Sequence, residues 1–321
     1  MSAEQPIPII LDTDIGDNVD DALALALACR STELKLLGVT TVYRDPWRRA
    51  AIAGAVLEAC ASGDLPVAAG IGKPLMREWD RQPPRHYEVE YSRHLERLDR
   101  RNAVEFLIET AWTAAEPIAS VPAEGLHEKT FREMFVPVTI CCIGPLTNLA
   151  VALATEPTLA ERIRVVLMGG MISGKRPETN ISADPDAARI VFASGADITI
   201  VGLDVTLQCQ LTAEQVERIK ACDSTHTRLL GRMIDSWMTE RGRLPVPHDP
   251  LAVAMCFAPS LCVLEPMDVT IETAGATTGG ITVGRPNPES RTKVCTAVER
   301  ERFVELFMDR VCSPSRSIST G

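Results

Sequence analysis

The sequence predicts an α/β fold, an open and mainly parallel sheet with helices on both faces and a Rossmann-like core. Three observations carry that prediction. Short apolar strands alternate with longer helical patterns along the chain. Several strands are apolar through their whole length, as strands covered on both faces are. Polar residues gather just after the strands, where open α/β sheets place their ligands.

Residues 7–12 form the first strand and end in polar residues. Residues 19–30 carry Ala and Leu on nearly every face and predict a buried helix. Residues 34–42 are a strand, and residues 46–61 a helix opened by a first-turn proline. Residues 66–70 make a short strand, and residues 102–115 a helix. A continuous apolar strand spans residues 137–144, and the helix PLTNLAVALA follows it. Two more such strands, 164–169 and 197–203, flank a helix over 185–194. Residues 225–239 read as a further helix. Residues 76–101 and 119–135 break the rhythm with charge and proline, and are expected to be surface insertions or lids. With no internal repeat or clear linker, residues 1–321 are expected to form a single domain.

The 321-residue chain is long enough for a sizeable core. Its 45% hydrophobic and 24% charged residues exclude a wholly disordered chain. No apolar run approaches the ~20 residues of a membrane span. The N-terminus lacks a basic stretch followed by an apolar one, so no secretory leader is expected and the cytoplasm is the expected compartment. With 33 basic against 43 acidic residues, nothing marks a nucleic-acid groove. Ten cysteines without a CxxC pair are expected to be free, mostly buried thiols.

The strongest chemical signal is LDTDIGDNVDDALALALA. Asp12, Asp14, Asp17, Asp20 and Asp21 fall within ten residues, at the end of a strand and the start of a helix. Carboxylates so crowded repel one another. An all-oxygen donor set points to a hard cation, Ca2+ or Mg2+. Helix capping accounts for one or two acids, not five. Gly16 permits the tight turn between them. PVPHDPLAVAM offers His248 and Asp249 before an apolar helix; capping is the plainer role for Asp249 taken alone. ETNISADPDAA presents Glu178 and Asn180, which suit sugar hydroxyls, or else turn chemistry. The strand-to-helix turn at Gly144–Pro145 has a backbone carbonyl that can face a cation. Trp237 can stack on a base or simply pack its helix.

These segments together resemble the nucleoside hydrolases of the inosine-uridine-preferring type. The similarity runs from about Ile7 to Arg310 through DTDIGDNVDDALA, GVTTVYRD, IGPLTNLAVAL, VVLMGG, ETNISADPDAA, VGLDVT, PHDPLAVA and VERERFVELFMDRV. The resemblance implies an open α/β fold, one bound Ca2+, cleavage of the N-glycosidic bond of ribonucleosides in purine or pyrimidine salvage, and a homodimer or homotetramer. Carried over by motif, Asp14 resembles the metal-bound acid that activates water. Asp21, Asp249 and the carbonyl of Ile143 match further metal ligands. Asp20 matches the acid on a ribose hydroxyl, and Glu178 with Asn180 the pair that grips the sugar. Asp45 falls at a ribose- or base-side position. His248 resembles the residue beside the leaving base, a candidate proton donor.

The chain departs from the family pattern in places. The turn up to Asp20 is two residues longer than the shortest family version, and Ile15 stands where proline is common. Residues 76–101 replace the usual lid, and a sugar-contacting Asn has no counterpart after Gly170. Two other functions fit some of the features. A ribosyl-binding pseudoenzyme would keep the metal and the sugar contacts without turnover. A metal-dependent phosphohydrolase would use the Asp-x-Asp, but needs a lysine at a strand end, and only Lys175 comes near one.

Overall fold

The computed structural model describes residues 5–114, 116–117, 135–174 and 176–313. Lys175 and most of the 119–135 segment lie outside them. A nine-stranded sheet forms the centre. Its strands are β1 (Ile7–Thr13), β2 (Leu34–Thr41), β3 (Val67–Ala69), β6 (Val138–Cys142), β7 (Ile163–Met168), β8 (Asp197–Val201), β9 (Cys262–Ile271), β10 (Thr282–Pro286) and β11 (Thr292–Val298). The order is β10-β9-β11-β8-β7-β6-β1-β2-β3. Every pairing from β11 to β3 is parallel, and β9 runs antiparallel to both its neighbours. The short strands β4 (Glu116–Pro117) and β5 (Phe135–Val136) pair separately.

The helices are α1 (Asp20–Arg30), α2 (Pro46–Ala59), α3 (Ala103–Thr113), α4 (Thr147–Thr155), α5 (Leu159–Arg162), α6 (Thr179–Ala183), α7 (Pro185–Ala193), α8 (Leu203–Thr206), α9 (Ala213–Ala221), α10 (Thr225–Arg241), α11 (His248–Met255) and α12 (Arg300–Cys312). They cover both faces of the sheet. One core packs α1, α2, α10, α11 and α12 against one face. A second packs α3, α4 and α7 against the other. This is why the central strands read as unbroken apolar runs: β1 buries six consecutive residues and β6 all five of its own. The run of Ala and Leu in α1 likewise reflects burial on nearly all sides, from Asp20 to Ala28.

The three strands after residue 203 carry no clear sequence signal. In particular, β9 alternates buried and exposed residues and contains Glu265, Pro266 and Asp268. That pattern marks a half-exposed antiparallel strand rather than a buried parallel one. All ten cysteines are free thiols. Among the described residues, no helix is long and apolar enough to cross a membrane.

Candidate active site

The carboxyl ends of β1, β6, β7 and β8 open on one cavity of about 300 Å3. Asp14, Asp20, Asp21, Ile143, Glu178, Asn180, His248 and Asp249 all line it. Residues from both halves of the chain therefore meet where an open parallel sheet places its ligands.

The acids arrive on two helix starts. Asp20 and Asp21 begin α1, and Asp249 stands in the first turn of α11, which packs against α1. One carboxylate oxygen from each of Asp20, Asp21 and Asp249 lies within 4.8 Å of the others, and all three side chains are buried. Burial pushes Asp20 up to about 7, and burial with the charges of Asp20, Asp21 and Asp14 pushes Asp249 well above the carboxylate range. Asp20 and Asp249 stand against each other, so ionising both carboxyls at once is disfavoured. Thr13 donates its hydroxyl to Asp21 Oδ1 at 2.6 Å, which orients that carboxylate. Asp14, half-buried on the same cavity, is pushed up to about 6 by burial, against the pull of the Arg49 guanidinium.

Gly144 allows this approach, because a Cβ there would meet the Asp14 amide nitrogen at 2.9 Å and its Oδ1 at 3.0 Å. A buried all-carboxylate group that raises its own protonation is what a hard divalent cation relieves, and it offers no nitrogen or sulfur ligand. The donor set thus fits a metal.

Two of the five acids in the opening motif have other work. Asp12 is fully buried beneath the cavity, where Oδ1 accepts from Thr40 Oγ1 at 2.6 Å and Asn148 Nδ2 at 2.8 Å. Asp17 pairs with Arg49 at 2.7 Å and Arg44 at 3.2 Å. The tightest carboxylate group also differs from the expected ligand set, since Asp20 rather than Asp14 joins Asp21 and Asp249.

The sugar-side pair is held by backbone. Glu178 caps α6, accepting from the amides of Gly170, Asn180 and Ile181. Asn180 donates Nδ2 to the carbonyls of Ile143 and Met168, both at 3.0 Å. Ile143 O is therefore already a working acceptor facing the cavity. His248 Nδ1 lies 2.7 Å from Thr206 Oγ1, and burial with the nearby Arg243 pushes its pKa down to about 4. At neutral pH the ring is uncharged.

Two expected site residues do not line the cavity. Asp45 caps α2, accepting from the Arg48 amide at 3.1 Å and pairing with its guanidinium. A proline at the next position makes it a helix N-cap, which turns it from the cavity mouth. Trp237 is buried on the core side of α10, and its Nε1 donates to Asn18 Oδ1 at 3.4 Å. It reaches the cavity through Asn18 and through Arg243, whose guanidinium lies over its ring at 5.6 Å; both line the cavity. Asn18, Arg176, Leu203, Leu207 and Arg243 also line the cavity, although no sequence motif points to them as site residues. Asn18 carries a signal all the same, as it sits in the lengthened acidic turn. Leu203 opens α8 and Leu207 follows it, while Arg176 and Arg243 stand on loops, and only the packed sheet decides where these segments point.

The family model for inosine-uridine preferring nucleoside hydrolase matches residues 9–305. A pyrimidine-specific ribonucleoside hydrolase RihA of Shewanella sp. (strain MR-7) is 36% identical, over 94% of this chain and 95% of the relative. The RihA of Salmonella agona (strain SL483) is 33% identical, over 95% of this chain and 98% of its own. Among solved structures, a plant nucleoside hydrolase, the PpNRh1 enzyme, superposes with a TM-score of 0.78 at 26% identity, covering 97% of this chain and all of its own. A purine-preferring ribonucleoside hydrolase from Gardnerella vaginalis gives 0.77 at 27% identity, covering 95% of this chain and 98% of its own.

Proposed function

The chain belongs to the inosine-uridine preferring nucleoside hydrolases and is a ribonucleoside hydrolase; from there we propose that it is calcium-dependent, with Asp14 as the base that takes the proton of the attacking water. The observation that carries this reading is the meeting of Asp14, Asp20, Asp21 and Asp249 in one cavity, three of them buried and within 4.8 Å of one another.

Asp20, Asp21, Asp249 and the Ile143 carbonyl, with Asp14, would hold the ion. When bound, calcium supplies a template that keeps water and sugar hydroxyls in attack geometry. A carboxylate base is needed beside so weak an acidifier of water, and Asp14 fills that place. As the N-glycosidic bond breaks, its electron pair goes to the base nitrogen and the sugar becomes oxocarbenium-like. Negative charge from the aspartates stabilises that cation. Water adds to the anomeric carbon and its proton passes to Asp14. Glu178 and Asn180, locked by backbone hydrogen bonds, orient the sugar without further ordering. The uncharged His248, held by Thr206, offers a ring N–H as a hydrogen bond to the nitrogen that receives the electron pair, and the departing base then takes its proton from solvent.

The names of the RihA relatives support pyrimidine ribonucleosides as the preferred substrates. The family supports a homodimer or homotetramer working in the cytoplasm on base salvage. Release of free base from uridine, cytidine and inosine, measured with and without EDTA, tests the reading. Turnover abolished by chelation, restored by calcium and fastest on uridine or cytidine is expected. Turnover that persists in EDTA after exhaustive dialysis overturns the calcium dependence. Sugar binding without base release would point to the pseudoenzyme instead.

A further inference from the structure

Arg49 is the bulkiest of the fully buried side chains, and it sits directly behind the acidic turn. Its Nε donates to Tyr43 O at 2.9 Å. Nη1 donates to the carbonyls of Asp14 and of Ile15, the latter at 3.0 Å. Nη2 donates to Asp17 Oδ2 at 2.7 Å. One planar fork therefore fixes four points of the chain, three in the acidic turn from Asp14 onward and one at Tyr43, a geometry that a lysine cannot reproduce. One of these acceptors, Tyr43, is itself set in uncommon backbone together with its neighbour Arg44. Tyr43 and Arg44 both have positive φ, 73° and 55°, without being glycine.

The segment 76–101 grips the same turn from outside. Pro84 packs on Gly16, where an added Cβ would lie 2.7 Å from Pro84 Cβ and 2.6 Å from Ile52 Cδ1. The His86 amide donates to Gly16 O at 2.8 Å. Trp79 Nε1 donates to Arg44 O at 3.0 Å, and Arg44 bridges Asp17 at 3.2 Å and Asp80 at 2.9 Å. Within the lengthened turn, Asp17 is the counter-ion of Arg49 and Arg44, and Asn18 reaches the cavity.

We infer that Arg49 is a positioning residue for the hydrolysis, aiming the Asp14 carboxylate at the Asp20–Asp21–Asp249 group, and that Asp17, Arg44 and Asp80 bind the 76–101 segment to this turn as a strap. The inference rests on the functional reading above, since it gives Asp14 its task. It extends that reading to residues that touch neither substrate nor metal.

Calcium titrated calorimetrically into the full-length chain tests it, with Arg49→Lys, Asp17→Asn and Arg44→Gln beside the wild type. Arg49→Lys and Asp17→Asn are expected to weaken calcium binding by about tenfold or more. At saturating calcium they should lower kcat on uridine more than they raise KM. Arg44→Gln should show the same effects more weakly, because Arg49 keeps its own contacts. A purely structural Arg49 would lower Tm and leave calcium affinity unchanged. If Arg49→Lys does not fold, Asp17→Asn, at a partly exposed side chain, decides. Wild-type calcium affinity in the folded variants overturns this inference alone. A wild type that binds no calcium overturns the functional reading and this inference with it.

Discussion

At the scale of single residues, the mechanism we propose divides the chemistry between Asp14 and His248, on the two sides of the scissile bond. Replacing Asp14 with Ala should cut turnover of uridine by roughly 10³-fold or more, in line with loss of a general base that also faces the ion. His248→Ala should cost about 10²-fold on natural nucleosides and much less on a riboside with a good leaving group such as p-nitrophenol. Equal losses on both substrates would remove His248 from the leaving-group side. The carboxylates also set a pH dependence. Asp14 and Asp20 titrate at about 6 and about 7 in the folded chain against 3.8 when unperturbed. The folded chain therefore holds more protons than the unfolded one between about pH 4 and 7. Metal-free protein should lose stability as pH rises through that window, by roughly 2 °C in Tm per kcal/mol. Saturating calcium, read by calorimetry at pH 5 and pH 8, should abolish or reverse that trend. The acidic motif is legible in the sequence because five aspartates crowded at one strand end repel one another unless a cation joins them. Asp45 and Trp237 are not legible in the same way. Asp45 occupies a family motif position and Trp237 offers a stacking surface, yet a helix cap and a core face claim their side chains.

At the scale of elements, the cavity depends on how β1 and β6 end and on how α1 and α11 begin. The turn after β6 brings Gly144 against Asp14, with no room for a side chain. Gly144→Ala should therefore lower kcat by more than about tenfold while α4 and the sheet stay folded, as judged by circular dichroism, since it displaces a catalytic group whose placement matters at the 1 Å scale. A variant with wild-type kcat would show that the turn yields freely. The parallel strands and their helices are legible because each is apolar throughout or follows one period. The strands β9–β11 are not, because much of each faces solvent. The sequence of residues 76–101 announces an insertion. It cannot show that Pro84 and His86 close on Gly16, because that contact joins segments that only the fold makes neighbours.

At the scale of the whole molecule, the two cores on opposite faces of one sheet leave large apolar side chains at the surface, Trp47 at 59%, Met76 at 78% and Val89 at 75% exposed. Light scattering on the purified chain should give two or four times its 34.9 kDa; a single-chain mass would refute the homo-oligomer. The proposed ligand group also has a consequence for how this chain comes together. The carboxylates we propose to hold the ion come from Asp14, Asp20 and Asp21 near the beginning and from Asp249 after most of the sheet has been laid down. High-affinity ion capture must then wait until the last of these helices docks. A luminescent lanthanide added during refolding would stay dark through early collapse and brighten only at completion, making the catalytic centre its own clock for assembly.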